Sequence, residues 1–491
     1  MAFDPQAVLR RMLVTPAGMA GADKRAIEGG VSEKTLIARA ADALFRVLRA
    51  EFTRRPVIVL AGPGNNGEDG LALAARLQEA EWPVTIIDAL TEDPAARARP
   101  YGLERALRPS GIFEPGEQDL VIDALFGAGL SRAIEGEAAA LVQKLNQSPA
   151  PVLAVDIPSG IDGATGISLG SSVVADMTVT FHRLKPGHLM GDGAELSGRL
   201  YLRDIGIEAQ EADAEALHND PSLWRHRLGP QDRDTHKYAR GHCAVIGGPG
   251  LKGGAARLSA RGAKVSGAGA VTFLTPLSAA EFAASRFDAV MVKPLSDPDE
   301  LEEFLGERVS SVVIGPGMGH GHLSADCLTV VLESGLPCVL DADALTLYED
   351  NPETLFEMLH EDCVLTPHEG EFARLFPDVE GDKLSRARAG AARAGATVLL
   401  KGTTTAIAGG GLPLLSTAGT AALATAGSGD VLAGLIGGLL AQGLGPCEAA
   451  AAGAWLHGAA GRQAGPGLHA DALPDAITET LRALDKGVWS F

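Results

Sequence analysis

The chain is expected to fold as two α/β domains in tandem. Four short apolar runs mark the first half, Val57-Ile58-Val59-Leu60, Val84-Thr85-Ile86-Ile87, Leu120-Val121-Ile122 and Val152-Leu153-Ala154-Val155, separated by Ala/Leu/Arg-rich stretches with helical spacing. Strands apolar on both faces that alternate with helices indicate a parallel sheet covered on both sides. The rhythm restarts at Cys243-Ala244-Val245-Ile246 and continues through Val312-Val313-Ile314, Cys338-Val339-Leu340, Cys363-Val364-Leu365 and Thr397-Val398-Leu399-Leu400. Between the two series, residues 208–235 are polar and acid-rich and contain Asp220-Pro221 and Gly229-Pro230. The boundary is placed there, with a first domain over 1–218, a linker over 219–235 and a second domain over 236–491. A length of 491 residues leaves room for a separate core in each.

Composition narrows the function classes. Lys+Arg 42 against Asp+Glu 62 gives a net charge of −20, so no global positive field gathers nucleic acid or an anionic membrane. Aromatic residues at 4% leave few stacking platforms for single strands, and no nucleic-acid or membrane partner is expected. The five cysteines, Cys243, Cys327, Cys338, Cys363 and Cys447, are odd in number and without C-x-x-C spacing, which reads as reduced, mostly buried thiols. No uninterrupted apolar run reaches the length of a membrane span, and a cytoplasmic location is expected.

In the first half the strand ending at Ala61 runs into Gly62-Pro63-Gly64-Asn65-Asn66-Gly67-Glu68-Asp69-Gly70. Gly62-x-Gly64-x-x-Gly67 matches a dinucleotide fingerprint, with Asp88 at the end of the next strand in the place of a ribose-binding acid. A dehydrogenase is therefore one reading of this half. Against it, two asparagines fill the variable positions and the Glu68-Asp69 pair would repel a pyrophosphate. Later strand ends carry Asp123-Ala124-Leu125-Phe126-Gly127 and Val155-Asp156-Ile157-Pro158-Ser159-Gly160. Strand C-termini share one edge of a parallel sheet, so Asn66, Asp123, Asp156 and Ser159 can converge on one crevice. Oxygen ligands without Cys or His suit a hard cation rather than zinc.

Taken in order, these segments resemble the NAD(P)H-hydrate epimerase domain, whose pattern is GPGNNGGDG, then D-A-L-F-G-x-G, then V-D-I-P-S-G. The likeness runs from about Leu13 to Gly206 and implies a Rossmann-like three-layer αβα sandwich. It implies that Asn65, Asn66, Gly67, Glu68 and Asp69, together with Gly127, Ala128, Gly129, Leu130, Ser131 and Arg132, contact the hydrated cofactor. It further implies that Asn66, Asp123 and Ser159 hold K+ and that Asp156 is the acid/base group and a substrate contact. Two positions depart from the pattern: Glu68 stands for its second glycine, and Leu36-Ile37-Ala38 lacks the acid of its Leu-Met-Glu stretch.

The second half opens with His236-Lys237-Tyr238-Ala239-Arg240-Gly241-His242 and turns through Gly247-Gly248-Pro249-Gly250-Leu251-Lys252-Gly253-Gly254 into a helix from Ala255. Free N–H groups at such a turn form an anion cradle, although no P-loop motif is present. Further strand ends give Gly315-Pro316-Gly317-Met318-Gly319, Asp341-Ala342-Asp343-Ala344-Leu345, Leu365-Thr366-Pro367-His368-Glu369-Gly370-Glu371 and Lys401-Gly402-Thr403-Thr404-Thr405. The last of these is open to two readings, a phosphate-facing loop or a plain hairpin turn. Ala426-Gly427-Ser428-Gly429-Asp430 then leads into an apolar helix. Small residues admit a phosphoryl group to the helix N-terminus, and Asp430 can accept a proton from an attacking hydroxyl or simply act as a cap.

From about Lys237 to Arg482 these segments are similar to the ADP-dependent NAD(P)H-hydrate dehydratase family, which implies a ribokinase-like αβα sandwich. The resemblance implies that Ala255, Gly317, His368 and Asp430 contact the hydrated dinucleotide, with Asp430 the catalytic base. Lys401, Gly402, Thr403, Thr404, Thr405 and Gly429 are implied to contact the adenine nucleotide, ADP with Mg2+. Together the halves imply one repair enzyme for hydrated NADH and NADPH, epimerising R and S hydrates and dehydrating the S form with ADP to give AMP and phosphate. A homo-oligomer is implied as well. The alternatives are a ribokinase-type small-molecule kinase fused to a dinucleotide-binding domain, and a nucleotide-sensing scaffold without chemistry.

Overall fold

The computed structural model describes residues 3–228, 240–249 and 253–487 and divides into two compact units. One comprises Met12–Ala216; the other joins residues 1–11 to Leu217–Phe491. The expected first domain thus loses its leading residues to the second. The expected linker is also corrected: over Asn219–Leu228 it is folded and belongs to the C-terminal unit. Asp220 caps the short helix Pro221–Trp224, accepting from the Ser222 N–H, and Pro221 occupies the first helical turn. Trp224 is fully buried and donates through its indole N–H to Asn219 at 3.1 Å. The rest of the expected linker, and His236 to Ala239 and Gly250 to Lys252 of the sequence motifs, lie outside the described residues.

The N-terminal unit is built on a six-stranded, wholly parallel sheet in the order Val84–Ile87, Val57–Ala61, Leu120–Ala124, Val152–Val155, Met177–Phe181, Arg199–Arg203. Each central strand feeds both faces with period two. Leu120, Ile122 and Ala124 enter a core with Leu44 and Leu48 of helix Glu33–Glu51 and Leu73 and Leu77 of helix Asn65–Glu79. Val121 and Leu125 enter the opposite core with Leu141, Val142 and Leu145 of helix Gly136–Asn146. This is the three-layer αβα arrangement expected from the doubly apolar strands. The first strand in sequence, Val57–Ala61, is flanked by the second and third, so the chain reverses direction across the sheet at its C-terminal edge, where α/β folds leave a ligand crevice.

In the C-terminal unit the sheet runs Ala216–His218, Leu414–Ser416, Thr405–Ala408, Thr397–Leu400, Cys363–Leu365, Cys338–Leu340, Ser311–Ile314, His242–Ile246, Ala270–Thr275, Met291–Pro294. Thr405–Ala408 is antiparallel to both neighbours; the other pairs are parallel. Helix Ser428–Ala441, buried from Val431 to Ala441, packs on helix Gly254–Val265 through a seam of minimal residues. A Cβ on Gly434 would lie 1.8 Å from the Ser259 carbonyl oxygen, and one on Gly262 would lie 2.3 Å from that of Val431. Only glycine allows the two backbones this approach, which brings the start of the apolar helix, with Asp430, against Ser259.

Candidate active sites

In the N-terminal unit the glycine loop is a close-packed backbone junction. A Cβ on Gly62 would sit 1.6 Å from the Leu125 carbonyl oxygen, and one on Gly67 would sit 1.9 Å from that of Gly62. The loop after the first strand is thereby pressed against the loop after Leu120–Ala124, and Asn66 meets Gly127: a Cβ on Gly127 would touch the Asn66 amide at 3.3 Å and Asp156 Oδ2 at 3.2 Å. Asn66, Gly127 and Asp156 are thus brought together.

Asp156 is held from four directions. Lys185 Nζ donates to its Oδ1 at 2.5 Å, Thr180 Oγ1 donates to the same oxygen at 3.0 Å, and the Ala128 N–H donates to Oδ2 at 3.0 Å. His188 Nδ1 accepts from the Lys185 N–H, so its Nε2 carries the proton it donates to the Asp156 carbonyl at 2.7 Å. The residue adopts φ +66°, a left-handed conformation that aspartate tolerates better than bulkier residues. Burial raises the Asp156 pKa, but the Lys185 charge and hydrogen bond win and hold it at about 2. Burial and the Lys185 charge push His188 down to about 4, so it is neutral. Nearby Asp69 lies well above the ordinary carboxylate range, through burial first and then the charges of Asp156, Asp23 and Glu68. Asp23 is raised by burial as well. One carboxylate is therefore kept ionised beside another pushed towards its acid form, the division of labour that acid/base chemistry uses.

Asp123 and Ser159 are in direct contact. Ser159 Oγ donates to Asp123 Oδ1 at 2.6 Å and the Ser159 N–H to Oδ2 at 2.8 Å, while Ser159 Oγ also accepts from the Phe126 N–H at 2.9 Å. Burial drives Asp123 up to about 6 against these hydrogen bonds. Asn66 lies against Gly127, next to Phe126, and its buried Nδ2 has no hydrogen-bond partner. Exchanging O and N of the amide would turn a carbonyl oxygen to that position. The oxygens of Asp123 and Ser159, a buried carboxylate in need of positive charge and, with the amide so turned, the Asn66 oxygen fit a hard monovalent cation.

Glu68 is engaged by two neighbouring side chains. It accepts from Arg97 at 2.8 and 3.0 Å and from Tyr101 at 3.0 Å. Arg97 also donates to buried Asp88 at 2.8 Å, and Thr91 donates to the same carboxylate at 2.7 Å. Asp88, the acid a dehydrogenase would need for its ribose, is committed to this network, which removes the support for that reading. Ser131 and Arg132 are exposed beyond Ala128. Sequence reasoning assigned no role to Lys185, Thr180, His188 or Asp23.

In the C-terminal unit the strand ends converge on Asp430. Gly427, at φ +92°, starts helix Ser428–Ala441 and places Asp430 in its first turn. Ser259 Oγ donates to the Asp430 carbonyl at 2.8 Å and lies 3.4 Å from that of Ala255. Lys401 Nζ donates to Asp341 Oδ1 at 2.8 Å, stands 3.9 Å from Glu371 and would be 3.6 Å from a Cβ on Gly429. Thr366 Oγ1 completes the Asp341 shell at 2.8 Å, and the Gly319 N–H donates to Asp343 at 2.8 Å. Ala342, at φ +49°, is the strained residue that lets two adjacent carboxylates serve one site. Burial, then the like charge of Asp341, lifts Asp430 to about 7, with Lys401 opposing and Asp343 assisting. A carboxyl poised there exchanges protons near neutrality. His457 donates from Nε2 to the Ser428 carbonyl at 2.9 Å and, held down to about 4 by burial, stays neutral.

His368 is the N-cap of helix Glu369–Leu375: its Nδ1 accepts from the N–H groups of Gly370 and Glu371, and its ring is more than half exposed. It is joined to the site through Glu371 and Lys401. Gly317 comes up against Gly248, where a Cβ would lie 1.9 Å from the Gly317 carbonyl oxygen. The segment Lys401 to Thr405 is a hairpin turn between antiparallel strands, with the Lys401 side chain turned to Asp341 and Gly402 and Thr403 exposed. Asp341, Asp343 and His457 received no role from sequence reasoning, although the Asp341-Ala342-Asp343 motif was visible.

Comparison with known proteins agrees with this division. A family model described as YjeF-related protein N-terminus matches residues 33–187, and one described as NAD(P)H-hydrate dehydratase matches residues 243–482. The bifunctional NAD(P)H-hydrate repair enzyme Nnr of Moorella thermoacetica is 35% identical over 491 aligned residues, covering 92% of each chain. The chain belongs to the bifunctional NAD(P)H-hydrate repair enzyme family. The family's Escherichia coli K12 member Nnr is 36% identical over 392 residues, covering 77% of this chain and 75% of its own. Among solved structures, the Bacillus subtilis ADP/ATP-dependent NAD(P)H-hydrate dehydratase co-crystallised with ATP/Mg2+ is 26% identical, covering 52% of this chain and 93% of that one, with a TM-score of 0.46. Of the two family models, the first falls within Met12–Ala216 of this repair-enzyme chain and the second within Leu217–Phe491. Among the described residues no helix is long and apolar enough to cross a membrane.

Proposed function

We propose that the chain repairs NADH and NADPH that have added water across a nicotinamide-ring double bond. The observation that carries this reading is the Asp430 carboxyl, raised to about 7 at a glycine-lined helix start beside the Lys401–Asp341 pair. Asp430 takes the proton of the hydrate hydroxyl as its oxygen attacks the β-phosphorus of ADP, and the bond to AMP breaks. The hydroxyl has become a phosphate ester. Phosphate then departs with the C–O bonding pair, the neighbouring ring carbon loses a proton and the double bond returns. Hydroxide leaves poorly and phosphate well, which is why the nucleotide is consumed. Lys401 and the first-turn N–H groups of Ser428–Ala441 balance charge on the transferring group. Gly429 and the Lys401 to Thr405 turn face the nucleotide, whose Mg2+ suits the Asp341 and Asp343 oxygens. Ala255, Gly317 and His368 border the dinucleotide.

In the N-terminal unit Asp156 is the acid/base group that interconverts R and S hydrates and feeds the S form to dehydration. Asn65 to Asp69 and Gly127 to Arg132 border its crevice. Asn66, Asp123 and Ser159 would hold K+, which would supply fixed positive charge beside the buried Asp123 carboxylate. A cytoplasmic location and an assembly of several copies belong to the same reading; light scattering after gel filtration tests the latter.

The test is recovery of reduced-nicotinamide absorbance when the full chain meets an epimeric mixture of NADH hydrate with Mg2+, K+ and ADP. Recovery of both epimers is expected. Recovery limited to the S fraction would refute the N-terminal assignment, and none with either ADP or ATP would refute the C-terminal one. A phosphorylated product that accumulates instead would favour a small-molecule kinase.

A further inference from the structure

Away from both sites, among the described residues, Cys338, His360 and Cys363 bring a ligand atom each within 4.8 Å of one another. The two thiols come from neighbouring central strands of the C-terminal sheet. Cys338 and Cys363 are the first residues of Cys338–Leu340 and Cys363–Leu365 and are direct register partners, so their side chains share one face. Their sulfur atoms stand 3.5 Å apart, and both residues are fully buried. His360 precedes Cys363 in a His-x-x-Cys spacing, and its N–H donates to Cys363 Sγ at 3.5 Å. The second observation is its ring: His360 Nε2 is buried without a hydrogen-bond partner. A buried imidazole nitrogen left unpaired beside two thiols lacks only the atom that all three would bind.

We propose that Cys338, Cys363 and His360 form a binding site for one Zn2+ ion. Two sulfurs and one imidazole nitrogen are a soft donor set, unlike the oxygen cluster around Asp123. The sulfur separation matches two ligands on one ion with bonds of about 2.3 Å. Charge selects the metal: binding displaces the two thiol protons, and Zn2+ with two thiolates and a neutral imidazole is electrically neutral. Cu+ in the same place would bury a net negative charge. The fourth tetrahedral position is left to water, reached on the half-buried His360 side. The ion pins together the N-terminal ends of two strands whose opposite ends deliver Asp341 and Thr366 to the Asp430 site.

The test uses the full chain, reduced and freed of metal by chelation, titrated with Co2+ and then Zn2+. One equivalent of Co2+ is expected to give a thiolate-to-metal charge-transfer band that Zn2+ abolishes. Cys363→Ser should lose the band, Cys327→Ser should keep it, and His360→Gln, at a half-buried loop position, should weaken binding about 10- to 100-fold while remaining folded by circular dichroism. Absence of the band in the reduced wild-type chain, or a band untouched by Cys363→Ser and His360→Gln, would overturn the site. So would a Cys338–Cys363 disulfide in the chain purified without reductant, if its reduction restored no Co2+ binding. None of these readouts depends on the repair activity.

Discussion

Lys185 and Asp156 form an ion pair 2.5 Å long in which the lysine is almost wholly buried and the aspartate sits at φ +66°. The pair fixes both the charge and the direction of the carboxylate. Lys185→Met would leave Asp156 to its burial, which raises its pKa. Breaking one side of a buried pair costs about 3 to 5 kcal/mol, so urea denaturation at neutral pH should show a loss of that size. The sign with pH follows from the depressed wild-type value. Its stabilisation is complete above the unfolded value, about 3.9, and disappears as pH falls through about 2, whereas the variant should lack this acid-side loss. An identical acid profile in the two proteins would contradict the pairing.

Asp430 has the opposite sign. Its raised pKa means that the base form accumulates only above about pH 7, so ADP-dependent dehydration of S hydrate should fall on the acid side of that value. Asp430→Asn is expected to lower dehydration by about 10²- to 10⁴-fold and leave R/S exchange unchanged. Because the ionised carboxylate opposes folding above pH 7, the same variant should unfold at a higher temperature than wild type at pH 8. Near-normal turnover would remove Asp430 from the mechanism.

Potassium should raise the thermal midpoint of the wild-type chain relative to lithium at equal ionic strength. Asn66→Ala and Asp123→Asn are expected to lose that difference, because one removes the amide oxygen and the other the buried charge. Differential scanning calorimetry reads it directly. An undiminished potassium effect in Asn66→Ala would place the ion elsewhere.

Glu68, where the family pattern has glycine, is occupied by Arg97 and Tyr101. Glu68→Ala should therefore cost about 1 kcal/mol through the partly exposed ion pair. R/S exchange, followed by chromatography of the two epimers, should stay within about threefold of wild type, a barrier change below 1 kcal/mol. A gain of tenfold or more would show that the acid obstructs the crevice.

The parts legible in sequence were those set by local pattern. Fully apolar runs such as Leu120-Val121-Ile122 identify a sheet covered on both faces because each residue has a core to enter. Motifs at strand ends bring Asn66, Asp123, Asp156 and Ser159 to one edge because parallel strands deliver their C-termini there, whereas Asp430 is marked by the Gly-Ser-Gly that opens its helix. What stayed hidden depends on contacts across the fold. Lys185 meets Asp156 from 29 residues away, and Lys401 meets Asp341 from 60. No periodicity signals either. The Asp220-Pro221 pair reads as a turn, yet the same two residues are a helix cap and its first turn; burial of Trp224 decides between them.

The division of the chain also makes the first unit a guest within the second. Helix Pro5–Arg11 precedes the guest in sequence, yet it completes its host: the Asp4 N–H donates to the Leu223 carbonyl at 3.1 Å, and Arg11 pairs with Asp220 at 3.0 Å. During synthesis the host therefore waits for more than two hundred residues to emerge before its opening helix finds a seat. The guest's own ends are hydrogen-bonded neighbours, Glu215 N–H to the Leu13 carbonyl at 2.9 Å. A fragment begun at Leu217 discards part of the host, whereas splicing Arg11 to Leu217 through a few glycines removes the guest and keeps the host whole.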